Sequence, residues 1–279
     1  MEALRATYGS ESSDDGDDDG EIPINRVECM KVSSLPPPPS DLLKAPNFSD
    51  LAAASRTGRI RSFPHIEGNY ALHVYIPVLI PPTVREKLMI YVKRLASVVP
   101  SLYVVDADIP LSELSKDDEN FENVLLGREF HISLGRTVPI QVHQIDSIVA
   151  MLRQKFVSQR RYFIELSKWD VFVNDEQTRS FLSLEVLGRG LSEIRKQINL
   201  VDYVYKLHGL PEFYKNPRPH ISLLWALGNI SEKLKKNVEE LDTSRNNARN
   251  SGPIFFCKFN SIECKIGKKS YTICKSLDG

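Results

Sequence analysis

One tetrapeptide, His-Ile-Ser-Leu, occurs twice, at 131–134 and at 220–223. Both copies read as the middle of a buried strand. Side chains alternate across a strand, so His131 and Ser133 share one face and Ile132 and Leu134 the other. His220 and Ser222 stand in the same way against Ile221 and Leu223. Each motif therefore turns an aliphatic pair into a core and presents an imidazole and a hydroxyl to a cleft. An advance of two residues spans about 6.6 Å, which lets both polar groups of one strand reach a single phosphate.

Two imidazoles flanking a phosphodiester make an acid/base pair near neutral pH. The neutral ring removes the proton of a ribose 2′-hydroxyl, which attacks the adjacent phosphorus. The protonated ring donates to the departing 5′-oxygen. Ser133 and Ser222 would hydrogen-bond the non-bridging oxygens where charge accumulates. This chemistry calls for no metal and no cofactor. Neither serine lies in a Gly-x-Ser-x-Gly turn, which argues against a serine nucleophile.

Other polar residues are less definite. Tyr214, six residues before His220 in a proline-bounded loop, either stacks on a nucleobase or packs on the surface. His73 and Tyr75 fall on the polar face of the first strand, where they either border the cleft or, as the stronger expectation, face solvent. Lys265, Lys268 and Lys269 form a basic turn that either touches RNA phosphates or, more commonly for such a turn, is a charged hairpin, and His65, His143 and His208 fit no pattern.

The elements that must carry the motifs follow from periodicity. A strand is expected over 70–79, ended by Pro81 and Pro82, then a helix from a Thr83 cap to about Ser97. A strand near 103–105 and an acidic loop over 112–123 lead to the first motif strand. Residues 142–156 have helical spacing, and strands are expected at 162–173 and 180–187. A helix over 191–207 precedes the second motif strand. A helix near 232–241, a polar loop at 243–251 and closing strands at 254–265 and 271–275 complete the order. The mixture without strict alternation indicates an α+β fold with antiparallel sheets. Each half holds strands, a helix and one motif, as if a module had been duplicated, giving two lobes that face each other.

The 279 residues are 42% hydrophobic, enough for a sizeable core. No apolar run of membrane-spanning length and no secretory leader is read, which points away from a membrane. The cysteines 29, 257, 264 and 274 lack Cys-x-x-Cys spacing and fit reduced thiols. Net charge is zero, yet the first 50 residues hold 11 acidic and 4 basic side chains, leaving the body with a basic surplus of seven. Such a body suits a phosphate-bearing partner such as RNA. Residues 1–57, with an acidic Ser/Asp/Gly run including Ser10, Ser12 and Ser13 and four prolines in a row, read as a disordered leader; residues 58–279 read as one bilobal domain.

With both motifs in view, the chain resembles the 2H phosphoesterase superfamily, and more closely the U6 snRNA phosphodiesterase family of 3′-end processing exoribonucleases. The resemblance rests on RIRSFPHIEGNYALHVYIPV at 59–78, FHISLGRTVPIQVHQID at 130–146 and EFYKNPRPHISLLWALG at 212–228. It implies a bilobal fold with pseudo-twofold symmetry and a metal-independent 3′ to 5′ exonuclease. The implied product ends in a 2′,3′-cyclic phosphate or a 3′-phosphate. His131, Ser133, His220 and Ser222 match the catalytic motif residues, with His220 as base and His131 as acid. Tyr214 matches a base-stacking tyrosine, and Pro219 beside the motif is taken as a second substrate contact. The implied partner is the uridine-rich 3′ end of U6 snRNA, handled by a nuclear monomer. Arg218 and Pro219 depart from the pattern, which leads one to expect a small polar residue and an aromatic there. A 2′,3′-cyclic nucleotide phosphodiesterase and a non-catalytic RNA-binding scaffold are the alternatives.

Overall fold

A computed structural model describes residues 63, 66–107, 109–114, 118–246 and 252–276. The expectations for the leader at 1–57, for Cys29 and for His65 lie outside these residues. Among them, no helix is long and apolar enough to cross a membrane.

Strand β1, Asn69–Leu79, buries every second residue: Leu72, Val74, Ile76 and Val78. That alternation leaves His73 and Tyr75 on the opposite face. Two prolines close the strand, and α1, Pro82–Val98, starts with Pro81 at its N-cap and Pro82 inside its first turn, not with the expected Thr83 cap. β2, Tyr103–Val104, follows.

The acidic segment after β2 is not a loop throughout. It contains α2, Leu111–Leu114, and α3, Asp118–Leu126, whose Leu111, Leu114, Phe121, Leu125 and Leu126 enter the core, while Glu113 is exposed. β3, Glu129–Ser133, carries the first motif. An unexpected β4, Val138–Gln141, comes next, then a 3-10 turn, Val142–Gln144, and α4, Ile145–Lys155. β5, Phe163–Val173, β6, Arg179–Val186, and α5, Leu191–Leu207, agree with the periodicity. β7, His220–Leu227, carries the second motif. α6, Ser231–Asn246, runs into the segment expected as a polar loop. β8, Phe255–Lys258, β9, Ser261–Ile266, and β10, Lys269–Lys275, close the chain.

Two antiparallel five-stranded sheets result. The first has the order β10-β9-β1-β3, with β4 also paired to β1; the second has the order β2-β7-β6-β5-β8. They are not the two halves of the chain. β2 crosses into the second sheet to pair with β7, and β9 and β10 return to the first. The expected single strand at 254–265 is two strands in different sheets. It breaks at Phe259 and Asn260, where the Phe259 ring is fully buried and its N–H donates to the Tyr162 carbonyl at 2.9 Å. Each sheet carries one motif strand, as expected of two related lobes, but the sheets exchange strands and do not follow the two halves of the chain.

Ile132, Leu134, Ile221 and Leu223 are all fully buried in one continuous core. Each such side chain contributes about 1.5–3 kcal/mol of burial, which fixes the faces of β3 and β7. A slip of one residue would bury the imidazoles and expose the aliphatics. Past the first motif, a Cβ on Gly135 would meet the Tyr205 ring at 3.0 Å, so glycine allows α5 to lie against this corner. The Tyr205 hydroxyl donates to the Arg136 carbonyl at 3.2 Å.

Candidate active site

The two motif strands belong to different sheets and lie against each other. β3 is an edge strand of the first sheet, and β7 lies between β2 and β6 in the second. All four motif side chains are half-buried, so each keeps some accessible surface.

On the β3 side, Tyr75 is paired with Ser133 and Pro77 with His131. His73 shares the face of Tyr75, and its Nε2 lies 3.0 Å from Ser133 Oγ. The His73 and His131 rings meet edge to face at 4.9 Å, and Tyr75 approaches His131 at 5.7 Å. His73 and Tyr75 are thus not the solvent-exposed pair expected of a polar strand face. They are half-buried walls of the site.

On the β7 side, Ser183 is paired with Ser222 and Glu185 with His220. The Ser183 and Ser222 hydroxyls are 2.9 Å apart. The His220 ring stacks on Phe172 with centroids at 3.8 Å and planes 17° apart. His220 Nδ1 lies 2.7 Å from the Arg218 carbonyl, which can only accept, so Nδ1 carries the proton and Nε2 is left for chemistry. The Arg218 guanidinium donates through Nε and Nη2 to both oxygens of Glu185, at 2.7 and 2.6 Å, and also meets Asp170.

Burial lowers the pKa of both motif imidazoles by penalising their cations. For His131, Asp106 opposes this, while Arg128 and Lys265 add to it. For His220, the Arg218 carbonyl and Glu185 oppose burial, and the charges of His131 and Arg218 reinforce it. His73 is pushed down to about 3 by burial, His131 and Lys265, and is neutral at physiological pH. Lys265, expected in a basic turn, sits across from His73 on β9 and bears on two of the three imidazoles.

Tyr214 is 45% exposed. The Arg136 guanidinium lies 4.2 Å over its ring, its hydroxyl donates to Asp175 at 3.3 Å, and Arg136 bridges Asp175 at 2.7 Å. Arg136 follows the first motif and Tyr214 precedes the second, so this cluster ties the two motif segments together. Pro219 is buried, and its carbonyl accepts the Val186 N–H at 2.8 Å. It anchors the start of β7 and offers no open ring to a substrate. His143 stays outside the site in the 3-10 turn, and His208 caps α5, bonded to Val204 and Ser147.

The profile of the HVSL family, described as an uncharacterised conserved protein, matches residues 36–274. U6 snRNA phosphodiesterase 1 of Xenopus laevis is 30% identical over 275 residues, covering 96% of this chain and 97% of the relative. The chain belongs to the U6 snRNA phosphodiesterase family. The mouse (Mus musculus) member is 30% identical over 243 residues, 86% of this chain and 82% of its own length. Among solved structures, Usb1 of Kluyveromyces marxianus aligns with a TM-score of 0.47 and 13% identity, covering 73% of this chain and 97% of that one.

Strand parity alone could find the motif residues His131, Ser133, His220 and Ser222, and it also places His73 and Tyr75 on the correct face of β1. What it could not find was Phe172, Ser183, Glu185 and Asp170, which reach the site by lateral pairing of β5, β6 and β7.

Proposed function

We propose that this chain is a metal-independent 3′ to 5′ exoribonuclease that trims the uridine-rich 3′ end of U6 snRNA as a nuclear monomer. The observation that supports this reading is that the two motif strands, each with an imidazole and a serine on its polar face, come from different sheets and lie against each other.

His220 is the base. Its Nδ1 proton is committed to the Arg218 carbonyl, so the neutral ring presents an Nε2 lone pair to the 2′-hydroxyl of the penultimate ribose. That oxygen attacks the neighbouring phosphorus as its proton passes to Nε2. His131, protonated once a phosphate monoanion offsets the burial that disfavours its cation, gives its proton to the 5′-oxygen of the terminal nucleoside. The P–O5′ bond breaks, the terminal nucleoside leaves, and the shortened RNA carries a 2′,3′-cyclic phosphate. Ser133 and Ser222 hold the non-bridging oxygens. The exposed face of Tyr214 receives the terminal base, since Arg136 covers the other.

The test is incubation of the full chain with an oligouridine-ended RNA in EDTA. Stepwise 3′ shortening is expected, lost in His131→Ala and in His220→Ala and blocked by a 2′-deoxy penultimate sugar. Shortening that needs a divalent ion or survives both substitutions overturns the mechanism. Opening of cyclic mononucleotides without RNA shortening assigns the site to a cyclic phosphodiesterase, and RNA binding without cleavage to a scaffold.

A further inference from the structure

Arg218 is where the chain departs from its family resemblance, and it contacts four residues at the second motif, His220, Phe172, Glu185 and Asp170. Its carbonyl holds His220 Nδ1 at 2.7 Å. Its guanidinium lies 4.6 Å from the centre of the Phe172 ring, on which His220 stacks. The same guanidinium grips both oxygens of Glu185 and reaches Asp170, whose side chains are only 9% and 14% exposed. Glu185 is the direct cross-strand neighbour of His220.

A buried carboxylate beside an imidazole ordinarily takes the ring N–H itself and stabilises the cation. Here the ring N–H goes to the Arg218 carbonyl, because both Glu185 oxygens are occupied by the Arg218 fork, and Glu185 favours the cation only through space. We propose that Arg218 is a positioning residue: by sequestering Glu185 and Asp170 it leaves the His220 imidazole to the Arg218 carbonyl and the Phe172 face. The ring is thereby held in the tautomer and plane that aim Nε2 at the substrate.

The charged and titratable groups around His220 are His131 from β3, Glu185 from β6, Asp170 from β5 and Arg218 itself, with Lys168 3.6 Å from Asp170. Two carboxylates are thus matched by one guanidinium and one ammonium. Removing Arg218 leaves the carboxylates in excess beside the imidazole, and Glu185 becomes free to accept a ring N–H. His220 then charges more readily and can rotate off Phe172.

The role matters for catalysis only if His220 is the base argued above, so the experiment has one readout that does not depend on cleavage. In the full chain with 15N-labelled histidine, NMR titration follows the pKa and tautomer of His220 in wild type, Arg218→Met, Arg218→Lys and Arg218→Met/Glu185→Gln. Single-turnover cleavage of an oligouridine-ended RNA is measured on the same samples. Arg218→Met is expected to raise the His220 pKa by about one unit, to change its tautomer signature and to lower kcat about 10- to 100-fold with KM within about twofold. Adding Glu185→Gln brings the pKa back toward wild type. Arg218→Lys, which keeps the charge but loses the fork, falls between and serves if the methionine variant does not fold. A fall in thermal stability with the His220 pKa, tautomer and kcat unchanged makes Arg218 a merely structural residue and overturns the proposal. A shifted pKa with unchanged kcat overturns it as well. A wild type that cleaves no RNA sinks the exonuclease reading, while the NMR arm still decides whether Arg218 governs the imidazole.

Discussion

Ser133 Oγ lies 3.0 Å from His73 Nε2, whereas Ser222 Oγ lies 2.9 Å from Ser183 Oγ. The two motif serines, alike in sequence, therefore differ in what orients their hydroxyl protons. A hydroxyl partner can rotate to release Ser222 toward a phosphate, while an imidazole partner is fixed in its plane. Ser183→Ala is expected to lower kcat about 3- to 10-fold, and Ser222→Ala about 100-fold or more. Single-turnover kinetics on oligouridine RNA checks the order; equal losses would make Ser183 an equal partner in phosphate binding.

His73 links the site to acid stability. Its pKa is about 3 in the folded chain against an ordinary 6.5, so between those values the unfolded chain binds more protons. The stability linked to its neutral form is fully present above pH 6.5 and is lost as pH falls toward 3. His73→Gln should flatten the decline of Tm between pH 6.5 and 4 relative to wild type. An unchanged slope would show that another group governs acid unfolding.

The activity profile follows from the two motif imidazoles. Burial lowers both pKa values in the empty site, so the doubly neutral form dominates at pH 7 and above. The form with one ring protonated lies on the acid side of 6.5. kcat/KM should be bell-shaped with a maximum below pH 6.5 and should fall steadily from pH 6.5 to 8. Initial rates at low RNA concentration across pH 5 to 9 check this; a flat profile contradicts a two-imidazole mechanism.

Tyr214 is expected to act on binding. Tyr214→Ala should raise KM about 10- to 100-fold by removing a stacking face, and Tyr214→Phe should keep most of it. Asp175→Asn weakens the ion pair that holds Arg136 against the ring and should give a smaller increase of about 2- to 5-fold. Equal KM for wild type and Tyr214→Ala would show that the ring packs on the surface only.

Gly135→Ala should cost about 1–3 kcal/mol, because its Cβ would come within 3.0 Å of the fully buried Tyr205 ring just after the first motif. Chemical denaturation reads the loss directly. The variant should also lose activity, since β3 must shift to relieve the contact.

Much of the site could be read along the chain. The alternation of β1, β3 and β7 assigns the reactive and buried faces without any tertiary information, because a period of two is a local property of the backbone. The same logic puts His73 and Tyr75 on the right face but does not say what covers it. Parity says which side of a strand a residue occupies but not whether water or a second sheet lies there. The acidic 112–123 segment hid two helices, since their few apolar residues are spaced among charges and only packing against the core shows which ones matter. The break at Phe259 was hidden for the opposite reason. Apolar residues continue through it, and only the buried ring and the change of sheet mark it.

The sequence by itself determined the four motif residues, their division into reactive and buried faces, and the family to which the chain belongs. Each is encoded by residue type at short spacing. The tertiary structure alone decided that β2, β9 and β10 change sheets, that His73 and Ser183 hold the serines, and that Arg218 occupies the carboxylates beside His220. These are contacts between strands distant in the chain, and no local periodicity specifies which strands become neighbours.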